Sequence, residues 1–253
     1  MFISKIVPET LNRSRIDKAL VELKVAKTRQ NAQALIISGK VFINEIKITK
    51  AGSFVKTNNV LKVKKGNEWV SRGGIKLNSA LKKCNLLVRN KTCLDIGCST
   101  GGFTEVLLRN YAKKVFAVDV GYGQFDWKLR NCEKVKLFEK TNARYLDDKI
   151  ISEKIDLVVC DVSFISLKKV IKPVYPLLNE KFEILSLIKP QFEASKNLLG
   201  RGGVVKDPEL HLQICEDIKN WFVKEFKPKI VNVFDSSIKG QKGNKEFFIY
   251  IAN

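Results

Sequence analysis

Four continuous apolar runs punctuate the chain beyond residue 90: "TCLDIG", "VFAVDVG", "KIDLVVCD" and "FEILSLIKP". Turn or charged residues bound each run, and helical stretches separate them. A strand that is apolar on both faces must be covered on both faces. Such runs alternating with helices predict a parallel sheet between helical layers, from residue 76 onward. The later runs "KIVNVFD" and "EFFIYIA" are expected to pair as the last strands of that sheet.

The first 66 residues follow other periods. In "SRIDKALVEL", Ile16, Leu20 and Leu23 fall at i, i+4 and i+7; in "TRQNAQALIISG", Ala32, Leu35 and Ile36 fall at i, i+3 and i+4. Thr28 reads as an N-cap and Gly39 as a stop. "KVFINEIKIT" alternates about an Asn44-Glu45 turn, and "VLKVKKG" adds another alternating run. This quarter of the chain holds 14 Lys/Arg against 4 Asp/Glu, half of a net charge of +20. Neutralising phosphates is the usual use of such a field. The stretch "GNEWVSRGG" then reads as a linker over 67–75, with a hinge at its glycines and Ser71 and with Trp69 docking on one side.

No apolar run reaches the length of a membrane span, and "MFISKIVPETLNRSR" lacks the apolar core of a secretory signal. The expectation is a cytoplasmic protein without a membrane partner. The six cysteines form no C-x-x-C pair or zinc-ligand spacing, so they read as buried thiols and no metal is expected.

The stretch "DIGCSTGGF", Asp95 to Phe103, admits two readings. Gly97-Cys98-Ser99-Thr100-Gly101 fits G-x-S-x-G, the nucleophile elbow of α/β-hydrolases, and Ser99, Asp161 and His211 fall in that fold's triad order. But His211 is the only histidine, and "KDPELHLQICEDI" places it in a helix behind an Asp207-Pro208 start. The other reading is a cofactor cradle. Gly97, Gly101 and Gly102 let backbone approach a ligand, and Asp119 ends the next strand where doubly wound folds bind a ribose. The glycines alone serve NAD, FAD and S-adenosylmethionine alike.

"D-x-G-x-S-x-G-G-F-T" is followed in order by "VDVGYGQ", "TNAR", "CDVSFISL", "IKPQFE" and "GGVVKDP". This series resembles the TlyA family, S-adenosylmethionine-dependent 2′-O-methyltransferases of ribosomal RNA that carry an old haemolysin label. The second half also looks like the FtsJ group of ribose methylases. "R-x-x-A-x-x-L-I-x-x-G-K-V-x-I-N", from Arg29 to Asn44, resembles the RNA-binding module of ribosomal small-subunit protein four. The resemblance implies a Rossmann-like methyltransferase domain over 76–253 and a small α+β RNA-binding domain over 1–66. Arg13, Arg15, Lys18, Arg29 and Lys40 are then the RNA-binding candidates, with ribosomal RNA or ribosomal subunits as partner.

A ribose hydroxyl attacks a sulfonium methyl only when held in line and stripped of its proton. With His211 misplaced, a lysine is the remaining strong candidate to favour that loss. The resemblance implies a tetrad of Lys76, Asp161, Lys189 and Glu246: Lys189 at the 2′-hydroxyl, Lys76 and Asp161 tuning it, and Glu246 holding the lysines. For S-adenosylmethionine, Gly97, Ser99, Thr100, Gly101, Gly102 and Phe103 are expected around the methionine portion. Asp119 is expected at the ribose, Asn142 near adenine by resemblance, and Asp95 and Asp161 beside the cofactor. Two departures from the family pattern are Gln241, where proline is common, and Cys98, where alanine is usual. TlyA-like enzymes methylate cytidine riboses of the large-subunit RNA, and a longer subclass also modifies the small subunit. "SRIDKALVEL" resembles that longer subclass, which implies both targets. The competing readings are an RNA-binding protein with a structural cofactor, a membrane-active haemolysin, and an NAD-dependent oxidoreductase.

Overall fold

The computed structural model describes residues 2–64, 69–200 and 202–253, Lys196 by its backbone alone. The chain forms two units, Met1–Glu68 and Trp69–Asn253.

In the first unit, strand β1 (Phe2–Ile6) is followed by helices α1 (Ile16–Glu22) and α2 (Arg29–Ile37), then β2 (Val41–Ile43), β3 (Ile46–Ile48) and β4 (Val60–Lys64). The strands form an antiparallel sheet ordered β1-β4-β2-β3. Thr28 caps α2 by accepting a hydrogen bond from the Asn31 amide. Asn44 and Glu45 turn the β2–β3 hairpin with φ of 47° and 71°, the left-handed pair that a tight hairpin needs. Ile16, Leu20, Ala32 and Ile36, four of the six helical positions singled out by periodicity, are fully buried with Val41, Leu61 and Val63. Strand β1 was not anticipated. Four of its five residues are exposed, so "FISKI" carries no burial pattern to read.

The second unit runs α3 (Arg72–Lys83), β5 (Thr92–Ile96), α4 (Gly102–Arg109), β6 (Lys114–Val118), α5 (Trp127–Arg130), β7 (Val135–Phe138), β8 (Ile155–Cys160), α6 (Leu167–Ile171), β9 (Leu178–Ile188), α7 (Pro190–Glu193), α8 (Pro208–Phe226), β10 (Ile230–Asp235) and β11 (Phe247–Ala252). Its sheet has the order β10-β11-β9-β8-β5-β6-β7. The strands from β9 to β7 are parallel, and β11 and β10 add antiparallel at the β9 edge. Leu94, Ile96, Val158, Cys160, Ile184 and Ile249 pack on one face with α6 and α8. Their neighbours Cys93, Leu157, Val159, Leu185 and Phe248 pack on the other with α3 and α4. A period-two strand between two apolar layers has no polar face, which is why these runs are continuous.

The linker reading of 67–75 needs correction. Residues 67 and 68 lie outside the described residues, while those that follow belong to the second unit. Ser71 accepts a hydrogen bond from the Gly73 amide and caps α3, so residues 72–75 are its first turn and not a hinge. Trp69 is buried against Gly74, where any Cβ would strike its ring, and the Arg109 guanidinium lies 4.4 Å above that ring.

Candidate active site

The carboxyl ends of β5, β6, β8 and β9 converge, as a doubly wound sheet requires of its ligand edge. After β5 the chain turns at Gly97 (φ 80°), where a Cβ would come within 2.8 Å of the Asp161 carbonyl oxygen. Ser99 also has a positive φ, 48°. Its amide donates to Asp119 Oδ2 at 2.8 Å, and the Gly121 amide donates to Oδ1 at 2.7 Å. One carboxylate at the end of β6 thus pins both loops. Two cavities of about 230 and 470 Å³ lie against this turn and share Gly97, Ser99, Asp161, Ser163 and Phe164.

The smaller cavity is also lined by Cys98, Thr100, Gly102, Phe103, Gln241 and three charged residues, Lys76, Lys189 and Glu246. Lys76 projects from α3 and donates to Glu246 Oε2 at 2.6 Å; its Nζ lies 4.0 Å from Asp161 Oδ2. Lys189, at the end of β9, pairs with Asp161 Oδ1 at 2.5 Å and donates to Ser163 Oγ at 2.9 Å. Lys189, Asp161, Lys76 and Glu246 therefore form one chain of alternating charge, with net charge zero. Lys76, Lys189 and Glu246 are buried. Buried charges persist when each has an opposite partner and hydrogen bonds, and Lys76, Lys189 and Glu246 each have both.

Asp119 and Asn142 line the larger cavity with Val118, Val120, Val162 and Ile165. Apolar walls with a carboxylate at one end suit a nucleoside: the walls take the base, and Asp119 retains acceptor capacity for a diol. Asn142 Oδ1 accepts from the Arg144 amide at 3.1 Å and so fixes the turn after β7. The glycine turn, the paired cavities and Asp119 fit S-adenosylmethionine.

Two expected cofactor residues, Asp95 and Gly101, line neither cavity, and Gly102 has a second role. Asp95 lines neither cavity; it is fully buried beneath the loop, accepting from Thr104 Oγ1 at 2.6 Å. Burial pushes its carboxyl up to about 7, against the Thr104 hydrogen bond that favours the charged form. Gly101 (φ 93°) faces Leu129 and Phe125, where a Cβ would come within 2.5 Å of Leu129. Gly102 borders the smaller cavity, but its missing Cβ makes room for Ser71 at the start of α3. The hydrolase triad does not form. His211 is buried in α8 with Nε2 3.1 Å from the Val205 carbonyl oxygen, and it lines neither cavity.

Other residues of the site escaped the sequence reading. Phe164, 89% exposed and with φ of 65°, borders both cavities and lies 4.9 Å from the Phe192 ring. Glu193 accepts from Ser166 Oγ at 2.6 Å and the Leu167 amide at 2.7 Å, tying the loop after β8 to α7. Burial raises its carboxyl despite those bonds. Gly240 leaves the space that Glu246 occupies. Ser163 and Phe164 stand in the quoted "CDVSFISL", but only the fold shows what they face.

Residues 69–253 match the model of the FtsJ-like methyltransferase family, and residues 14–61 match the S4 domain. Over 241 residues the chain is 42% identical to the 16S/23S rRNA (cytidine-2′-O)-methyltransferase TlyA of Mycobacterium tuberculosis, covering 94% of this chain and 90% of that protein. This chain belongs to the TlyA family. Another relative, from Brachyspira hyodysenteriae, is called Hemolysin A; it is 38% identical across 93% of this chain and 98% of its own. A solved structure from Streptococcus thermophilus, also named for hemolysin, superposes with a TM-score of 0.72 at 34% identity, over 96% of this chain and 89% of that one. Among the described residues no helix is long and apolar enough to cross a membrane.

In the S4 domain of this chain, the five basic candidates fall into two groups. Arg13, Lys18 and Lys40 stand apart, with Lys18 3.6 Å from Glu22 and Lys40 half-buried. Arg15 and Arg29 converge on Asp17, an acidic residue whose role no basic pattern marks.

Proposed function

We propose that this chain transfers a methyl group from S-adenosylmethionine to the 2′-hydroxyl of a cytidine ribose in ribosomal RNA, in the large subunit and also in the small. The alternating chain from Lys189 to Glu246, beside the nucleoside-sized cavity, carries this reading. Bound S-adenosylmethionine supplies an electrophilic methyl on a sulfonium. The ribose hydroxyl then needs alignment with that methyl and compensation for the negative charge that grows on oxygen as its proton leaves to solvent water. Lys189, held by Asp161 and Ser163, presents a fixed cation for that oxygen. Asp161 is in turn fixed from the other side by Lys76, which Glu246 anchors. Preorganised charge of this kind costs no reorientation during reaction. The exposed ring of Phe164 offers a face on which a nucleobase drawn out of its stack can rest. A structural cofactor site would need none of these charges.

Lys189→Ala tests the reading. It is expected to reduce methyl transfer to ribosomal RNA at least roughly a hundredfold while S-adenosylmethionine binding, followed by calorimetry, persists. Near-normal turnover would remove Lys189 from the chemistry.

A further inference from the structure

Asp17 is fully buried at the start of α1, yet it accepts five hydrogen bonds. Arg15 donates to it through Nε and Nη2, both at 3.2 Å, in a bidentate pair. Arg29 Nε donates at 3.0 Å and Gln33 Nε2 at 3.1 Å, both from the other helix, and the Lys18 amide donates at 2.9 Å. Burial alone would raise this carboxyl; the hydrogen bonds from Arg15, Gln33 and Arg29 overcome it and hold the group well below the usual carboxylate range. A permanent anion is thus built into the domain expected to attract phosphates.

The geometry explains why. Arg15 Nη2 and Arg29 Nε share one oxygen, Asp17 Oδ2, so the two nitrogens lie within about 6 Å of each other. Both side chains stay accessible, 46% and 59% exposed, while the carboxylate between them is covered. A guanidinium has five donors in a planar fork. Asp17 takes Nε and Nη2 of Arg15 and Nε of Arg29, and the remaining Nη donors are left for an incoming anion. Two forks so close would repel and scatter without a carboxylate between them. We propose that Asp17 is a positioning residue that locks Arg15 and Arg29 into one binding site for a backbone phosphate of the RNA. This rests on the RNA-binding reading of the domain and adds the residue that organises it.

Asp17→Asn separates positioning from simple charge, because it removes a negative charge from a phosphate-binding surface. Charge alone predicts tighter RNA binding, whereas positioning predicts weaker. Full-length protein is titrated against purified large ribosomal subunits by filter binding, with wild type, Asp17→Asn, Arg15→Ala/Arg29→Ala and the triple variant side by side. Asp17→Asn is expected to bind roughly tenfold more weakly, and to cost nothing further once both arginines are gone. Equal or tighter binding by Asp17→Asn overturns the proposal while leaving the RNA-binding reading intact. So does an equal loss in the background lacking both arginines, which marks a purely structural residue. No binding by the wild type overturns both. If Asp17→Asn does not fold, the cycle of Arg15→Ala and Arg29→Ala decides: coupled losses support the shared site, and independent, multiplicative losses overturn it.

Discussion

Asp119 has two tasks in one carboxylate. It fixes the Ser99 and Gly121 amides and faces the cavity read as the nucleoside site. Asp119→Ala is expected to weaken S-adenosylmethionine binding by roughly tenfold or more, because hydrogen bonds to a charged group are the strong ones; unchanged affinity in calorimetry would contradict its assignment. Asp95 makes a prediction of the opposite kind. Its folded carboxyl is raised to about 7 from 3.8, so between those pH values the folded state holds a proton that the unfolded state has lost. Its contribution to stability therefore declines as pH rises from about 4 to 7 and levels off above. Asp95→Asn keeps a partner for Thr104 and removes the titration. The variant is expected to gain on wild type in thermal unfolding across that window, and a constant difference from pH 4 to 8 would show that Asp95 does not titrate there. The sequence marks Asp95 and Asp119 alike as strand-end acids. Only depth tells them apart, and depth is a property of the assembled sheet.

At the scale of elements, β5, β6, β8 and β9 were legible because burial on both faces leaves uninterrupted apolar runs, whereas β7, a partly exposed edge strand, carries no such run and was not anticipated. The start of α3 was not. Gly73 and Gly74 in its first turn read as a hinge, but they are there to let α3 pack closely on Trp69 and α4. The Lys76–Glu246 pair joins residues 170 apart, beyond any local pattern, so only family resemblance brought it into view. The loop before β11 offers a test of that pair. Gly240 has φ −70° and ψ −166°, a conformation open to alanine, so steric conflict with the Glu246 carboxylate is its main constraint. Gly240→Ala is expected to push Glu246 off Lys76 and cut turnover by roughly tenfold to a hundredfold, with cofactor affinity and folding retained. Wild-type turnover would show that the position of Glu246 is not critical.

For the whole molecule, the charge is the broadest constraint. A net +20, half of it in the first 66 residues, makes phosphate contact the main source of affinity for RNA. Binding to ribosomal subunits is expected to weaken by roughly a thousandfold between 50 and 200 mM salt if about six phosphates are neutralised; an affinity indifferent to salt would mean that this charge is not used for RNA. Composition alone could indicate such a partner, but not the chemistry we propose for it, which rests on four charged residues drawn from distant parts of the chain. The most direct measurement is transfer of labelled methyl from S-adenosylmethionine to isolated ribosomal subunits, followed by ribonuclease digestion. Label in a ribonuclease-resistant dinucleotide, from the large subunit and also the small, is the predicted result. Absence of label from both subunits and from assembled ribosomes, with cofactor shown to be bound, would contradict ribose methylation.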